Sequence, residues 1–190
     1  MRVFVAIDLP EKTKKKIANL QEKIKHTSNK IKWVDPSLIH ITLKFLGETD
    51  EKKLDGIFEA TCEVAEKFCP FFIKIYKMGA FPNLECPRVI WLGIKEGSSQ
   101  LAQIAKELEK KLFKQGFPRE KREWVPHLTI GRVKQLQDRE SIKRAIMREK
   151  QTSGGEAKIE AITVMQSRLT PQGPIYTPLQ KFPLQGKRGG

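Results

Sequence analysis

Two of the three histidines in this 190-residue chain are followed two positions later by threonine. One pair stands in His40-Ile41-Thr42-Leu43, the other in His127-Leu128-Thr129-Ile130; His26 does not share the pattern. On a strand, residues i and i+2 point to the same face. His40, Thr42 and Lys44 then share one face, while Ile41, Leu43 and Phe45 go into the core. His127 and Thr129 likewise share a face opposite Leu128 and Ile130. Each motif offers an imidazole and a hydroxyl from a rigid element. In-line cleavage of a phosphodiester needs such a set. A base acts on one side of phosphorus and an acid on the other, and two imidazoles can hold complementary protonation states near neutrality. Hydroxyl donors can bond the non-bridging oxygens as charge builds there. Lys44 and Arg132 are nearby cations. Ideal alternation points Arg132 away from the motif face, and a bulge at Gly131 could turn it in. The spacing does not say which histidine donates the proton.

Strands must carry these motifs, and the pattern supplies them. Residues 2–8 alternate, with Val3, Val5 and Ile7 on one face. Pro10 opens a Lys-rich helix to about Asn29, with Ile17, Leu20 and Ile24 on its apolar stripe. A short strand carries Trp33 and Val34, and residues 38–46 form the next. Thr49 or Asp50 caps a helix to about Phe68. Strands are expected over 71–78 and 88–94, separated by the turn-rich GAFPNLECP. Ser98 or Ser99 caps a helix to about Gln115, and Asp138 or Ser141 starts one to about Lys150. HLTIGRV is a strand, QTSGGEA reads as a loop, and KIEAITVMQS and PIYTPLQKF are the last strands. Strands and helices mix without the regular alternation of a doubly wound parallel sheet, so the expected class is α+β with antiparallel sheets.

Length predicts one domain, residues 1–184, followed by a flexible basic tail over 185–190. No apolar run approaches the roughly 20 residues of a spanning helix, so no membrane partner is expected. Lys plus Arg number 36 and Asp plus Glu 22, a formal charge of +14, which favours polyanions such as nucleic acid. Solubility or heat adaptation is the competing reading of that charge. Cys62, Cys69 and Cys86 lack paired spacing and read as reduced, buried thiols of a cytoplasmic protein. Three separated histidines without a nearby acidic pair make a poor metal site, so neither metal nor cofactor is expected.

The flanks of both motifs resemble one family. RVFVAIDLP, KWVDPSLIHITLKFLGE, GAFPNLECPRVIWLGI, VPHLTIGR and SRLTPQGPIYTPL are similar to segments of the two-histidine phosphoesterases, specifically the LigT-like RNA 2',3'-cyclic phosphodiesterases, also called 2'-5' RNA ligases. The resemblance implies two pseudo-symmetric lobes, each an antiparallel sheet with helices outside, facing across a cleft. It implies His40 as proton donor, His127 as proton acceptor, Thr42 and Thr129 as phosphate-binding hydroxyls, and Arg132 as the cation after the second motif. The implied substrate is RNA ending in a 2',3'-cyclic phosphate, tRNA fragments included, opened to a 2'-phosphomonoester by a monomeric enzyme. A 5'-hydroxyl in place of water would give reverse 2'-5' ligation.

Other readings compete. The cleft could bind a nucleotide or RNA end without turnover. Lys53-Leu54-Asp55-Gly56 matches the Lys-x-Asp-Gly pattern of ATP-dependent ligases, but falls early in a predicted amphipathic helix with no partner motifs. Phe4, which shares a face with Arg2, and Tyr176, which follows a Gly-Pro turn, could each stack a base; core packing is the alternative for both.

Overall fold

The protein's structure, a computed structural model, describes residues 1–27, 29–121 and 123–186. In chain order the elements are β1 (Arg2–Asp8), α1 (Glu11–Ile24), β2 (Lys30–Trp33), β3 (His40–Glu48), α2 (Leu54–Lys67), β4 (Phe71–Phe81), β5 (Val89–Ile94), α3 (Ser98–Lys114), β6 (His127–Gln135), α4 (Arg139–Arg148), β7 (Ser153–Ile159), β8 (Ala161–Thr170) and β9 (Gly173–Pro183). They form two antiparallel sheets, ordered β3-β1-β8-β9 and β2-β6-β5-β4-β7. Helices α2 and α3 pack on the first sheet and its strands, α1 and α4 on the second. This is the expected α+β class, two pseudo-symmetric lobes with helices outside. Contacts between β3 and β6 join the sheets at the two histidine strands.

The lobes are not the two halves of the sequence. The first sheet takes β1, β3, β8 and β9, so it draws on both ends of the chain. KIEAITVMQS, read as one strand, is two: the chain leaves β7 in the second sheet, passes Glu160, and enters β8 in the first. The expected loop QTSGGEA also contributes to a strand. Its Ser153, Gly154 and Gly155 begin β7, which pairs with β4. Glycine lowers strand propensity, but this approach requires it: a Cβ on Gly154 would lie 2.4 Å from Ile75 Cγ2.

Local chemistry explains most boundaries. Pro10 opens α1, which buries Ile17, Leu20 and Ile24 and stops at Ile24, earlier than expected. Asp50 accepts from the Lys52 amide at 3.0 Å and caps a short 3-10 turn leading into α2. Asp138 caps α4 by accepting from the Ser141 amide at 2.9 Å. The N-cap of α3 is Gly97, not Ser98 or Ser99. Cys69 and Cys86 are exposed, contrary to expectation, because both lie outside the packed faces of helices and strands. At the C-terminus, the Gln185 and Gly186 amides bond to Ala65 O at 3.3 Å and Phe68 O at 3.0 Å. The rest of the basic tail, 187–190, lies outside the described residues. Among the described residues no helix is long and apolar enough to cross a membrane.

Candidate active site

Each histidine is the first residue of its strand, His40 of β3 and His127 of β6. Both rings are held the same way. His40 Nδ1 bonds to Leu38 O at 2.7 Å, and His127 Nδ1 bonds to Val125 O at 2.7 Å, in each case the carbonyl two residues back. A carbonyl only accepts, so Nδ1 carries a proton in both rings and Nε2 is the nitrogen left for chemistry. The turn that presents Leu38 is itself pinned: Asp35 accepts from the Ser37 amide at 2.9 Å and its hydroxyl at 2.6 Å. Those two bonds hold the Asp35 carboxyl below the usual carboxylate range.

The two sites then diverge. His40 Nε2 lies 3.0 Å from Thr42 Oγ1. The neutral ring accepts from that hydroxyl, and the protonated ring donates to it. Among the described residues no group hydrogen-bonds His127 Nε2. An aromatic ring meets each imidazole edge-on, Tyr176 on His40 at 5.2 Å and Phe81 on His127 at 5.1 Å, both at 89°. Burial lowers the His40 pKa; the bond to Leu38 and the charge of Asp8 oppose this, while Lys14 and His127 add to it. The strands that begin at His40 and His127 touch across the two sheets, which brings the two imidazoles to one junction.

A bulge follows each threonine at the same offset. Between the pairs Ala6↔Thr42 and Val5↔Lys44, Leu43 is the extra residue; between Trp91↔Thr129 and Ile90↔Gly131, Ile130 is. An extra residue reverses the alternation beyond it. This brings Arg132 back to the motif face, where its charge and that of Arg2 act on Tyr176, offsetting part of the rise in phenol pKa caused by burial. The same shift corrects the reading of β3. Phe45, expected in the core, is 61% exposed, with its ring 5.9 Å from Phe4. Lys44, expected on the motif face, is 3% exposed. Its Nζ lies 2.6 Å from Glu109 Oε2 and donates to Pro118 O at 2.7 Å.

Phe4 offers no free face for a base. It is 2% exposed, with His40 and Tyr176 each 5.0 Å from its ring. Tyr176 is half-buried beside both Phe4 and His40. Sequence reasoning missed Phe81, whose ring meets His127, and Trp91, whose ring lies 5.2 Å from Phe81 at a tilt of 34°. It also missed Asp8, which pairs with Lys14 at 2.8 Å and stands opposite His40 in the sheet. The available signal for Phe81 was an aromatic residue just before a proline, Phe81-Pro82, in a turn-rich segment. Lys53 lies over the Phe117 ring at 5.2 Å, on the helix side of its sheet and not among the histidines.

Two imidazoles from opposing sheets, each with an adjacent threonine, define a phosphoesterase site of the two-histidine kind. A sequence model of the family described as LigT like Phosphoesterase matches residues 7–91 and again 92–176, and the chain belongs to that family. It is 42% identical over 182 residues to an RNA 2',3'-cyclic phosphodiesterase of Methanocaldococcus jannaschii, covering 96% of this chain and 100% of the relative. A protein of Archaeoglobus fulgidus with the same name is 40% identical, covering 96% and 99%. Among solved structures, TT0787 of Thermus thermophilus superposes with a TM-score of 0.85 at 28% identity, covering 99% of this chain and 100% of that one. Escherichia coli LigT, solved with 3'-AMP, shares the fold with a TM-score of 0.78 at 24% identity, covering 96% and 97%.

Proposed function

We propose that this protein hydrolyses RNA 2',3'-cyclic phosphate ends to 2'-phosphomonoesters without metal or nucleotide cofactor. The observation that carries the reading is the matched fixing of the two imidazoles: each Nδ1–H is committed to a backbone carbonyl, leaving two Nε2 atoms for one phosphate. The relatives named above as RNA 2',3'-cyclic phosphodiesterases support the substrate.

In the proposed step His127 Nε2 takes a proton from water as the water oxygen attacks phosphorus. The bond from phosphorus to the ribose 3' oxygen breaks, and His40 Nε2 gives that oxygen its proton. The product carries a 2'-phosphate and a 3'-hydroxyl. Thr42 and Thr129 donate to the non-bridging oxygens, and Arg132 offsets their growing charge. Burial lowers the pKa of His40 in the free protein. The bound phosphate is an anion beside it and raises its proton affinity, so the substrate loads its own acid. If the 5'-hydroxyl of a second RNA replaces water, the same exchange joins the ends through a 2'-5' linkage. The reading extends to tRNA fragments with cyclic ends and to a monomer acting in the cytoplasm.

The test is one incubation of a cyclic-phosphate oligonucleotide with EDTA and no ATP, with product isomers separated. Accumulation of the 2'-phosphomonoester supports the reading. Activity that requires a divalent ion, or binding with no turnover, overturns it.

A further inference from the structure

The bulge that removes Lys44 from the motif face gives it another place to act. Lys44 is in β3, two residues after Thr42, and its ammonium is buried against α3. There it meets two groups at once, Glu109 Oε2 at 2.6 Å and Pro118 O at 2.7 Å. The other oxygen of Glu109 accepts from the Glu120 amide at 2.8 Å. Four residues on, the Trp124 indole N–H donates to Thr42 O at 3.0 Å. The next residue is Val125, whose carbonyl holds His127 Nδ1. The described residues of 117–126 contain no helix or strand, so these bonds, with buried Phe117 and with Arg119 over the Phe113 ring at 4.3 Å, help to place the approach to β6.

We infer that Lys44 is a positioning residue: with Glu109 and Trp124 it clamps the segment that presents His127 onto the strand that carries His40 and Thr42. The inference rests on the hydrolase reading above, because it concerns the spacing of the same two imidazoles. Fold stability alone does not call for a lysine here. A buried ion pair is seldom better for stability than apolar side chains of similar volume. What the pair adds is direction: an ammonium must meet its carboxylate and carbonyl within hydrogen-bond distance, whereas an apolar contact can slide. Displacing a reacting group by about 1 Å can cost on the order of 100-fold in rate.

The test uses Lys44→Met, which keeps the unbranched stem, combined with Glu109→Gln so that no lone charge is buried. The double variant should stay folded and bind a cyclic-phosphate dinucleotide with KM within about twofold of native, while kcat falls roughly 10- to 100-fold. Trp124→Phe, which removes the indole donor and part of the ring but keeps an aromatic side chain, should lower kcat by a smaller factor with KM unchanged. In the ligand-free protein, the His127 ring resonances should move in the double variant. Native kcat in both variants overturns the inference. So do unmoved His127 resonances, and that readout stands whether or not the substrate is the right one. If the double variant does not fold, Trp124→Phe decides, and native kcat and resonances there overturn the clamp. Failure of the hydrolase reading looks different: the native chain itself shows no turnover.

Discussion

Strands β3 and β6 repeat one device and then part company. Each begins at its histidine, bonds Nδ1 to the carbonyl two residues back, places threonine two residues on, and bulges at the third. After the bulge, β3 reads Lys44-Phe45 and β6 reads Gly131-Arg132. The reason lies in what covers each strand. β3 is an edge strand of its sheet, with no strand of that sheet on its outer side, and Lys44 reaches α3. β6 is flanked by β2, and Trp33 of β2 stands opposite Gly131. A Cβ on Gly131 would lie 3.0 Å from the Trp33 ring and 3.2 Å from Ile31 Cγ2. One step further, Phe45 packs on Phe4, whose ring meets His40, and Arg132 carries a charge that reaches Tyr176. Duplicated motifs therefore yield unlike imidazoles, because the neighbours differ while the holding bonds do not.

The largest expected effect tests the premise of the comparison. His40→Ala and His127→Ala should each lower the single-turnover rate by at least roughly 100-fold. Near-native turnover in either would mean that one imidazole carries the chemistry alone.

The threonines come next. Thr42→Val and Thr129→Val keep shape and strand preference but remove a donor, and lost donors of this type cost about 2.7–4 kcal/mol in well-formed oxyanion sites. Turnover should fall in both while the melting temperature stays nearly native. A lowered melting temperature with native turnover would assign them to packing. Only Thr42 bonds its own histidine, so only Thr42→Val should also displace the His40 ring resonances.

Gly131→Ala probes the covered strand. The methyl must push Trp33 or Ile31 aside, and overpacking of this kind costs about 1–3 kcal/mol. Denaturant unfolding should show that loss. A native midpoint would mean that Trp33 does not dictate the difference between the strands.

The smallest effect is a displacement along the pH axis. Proposed as the acid, His40 must be protonated, and its pKa in the free protein is lowered. The basic limb of kcat/KM, which reports the free enzyme, should therefore fall at a lower pH than for an ordinary imidazole. The basic limb of kcat, which reports the complex, should lie higher, because the bound anion favours imidazolium. Coincident limbs would show that substrate does not recharge His40.

How much was legible in the sequence follows the reach of each interaction. His40 with Thr42, and His127 with Thr129, share a face because two residues of regular strand suffice to set it. Apolar spacing located the four helices, though helix α3 starts behind Gly97 and not a serine cap. Beyond the first two residues of each motif, the period-2 reading failed on β3 for a definite reason. The extra residue Leu43 reverses the alternation, so Lys44 is buried and Phe45 exposed. A bulge is a property of the pair of strands, set by the partner as much as by the strand that bulges.

The sequence by itself determined the reactive groups, their pairing and the element that carries each pair, since all of these depend on residues adjacent along the chain. Tertiary structure decided the rest. It chose which strand lies at an edge, and so whether a lysine or a glycine can follow the bulge. It brought Phe81 from the first half of the chain onto His127, and Tyr176 from the second half onto His40. It partly buried His40 and so lowered its proton affinity. Burial and cross-lobe contact join residues far apart in sequence, and no local spacing encodes which of them meet.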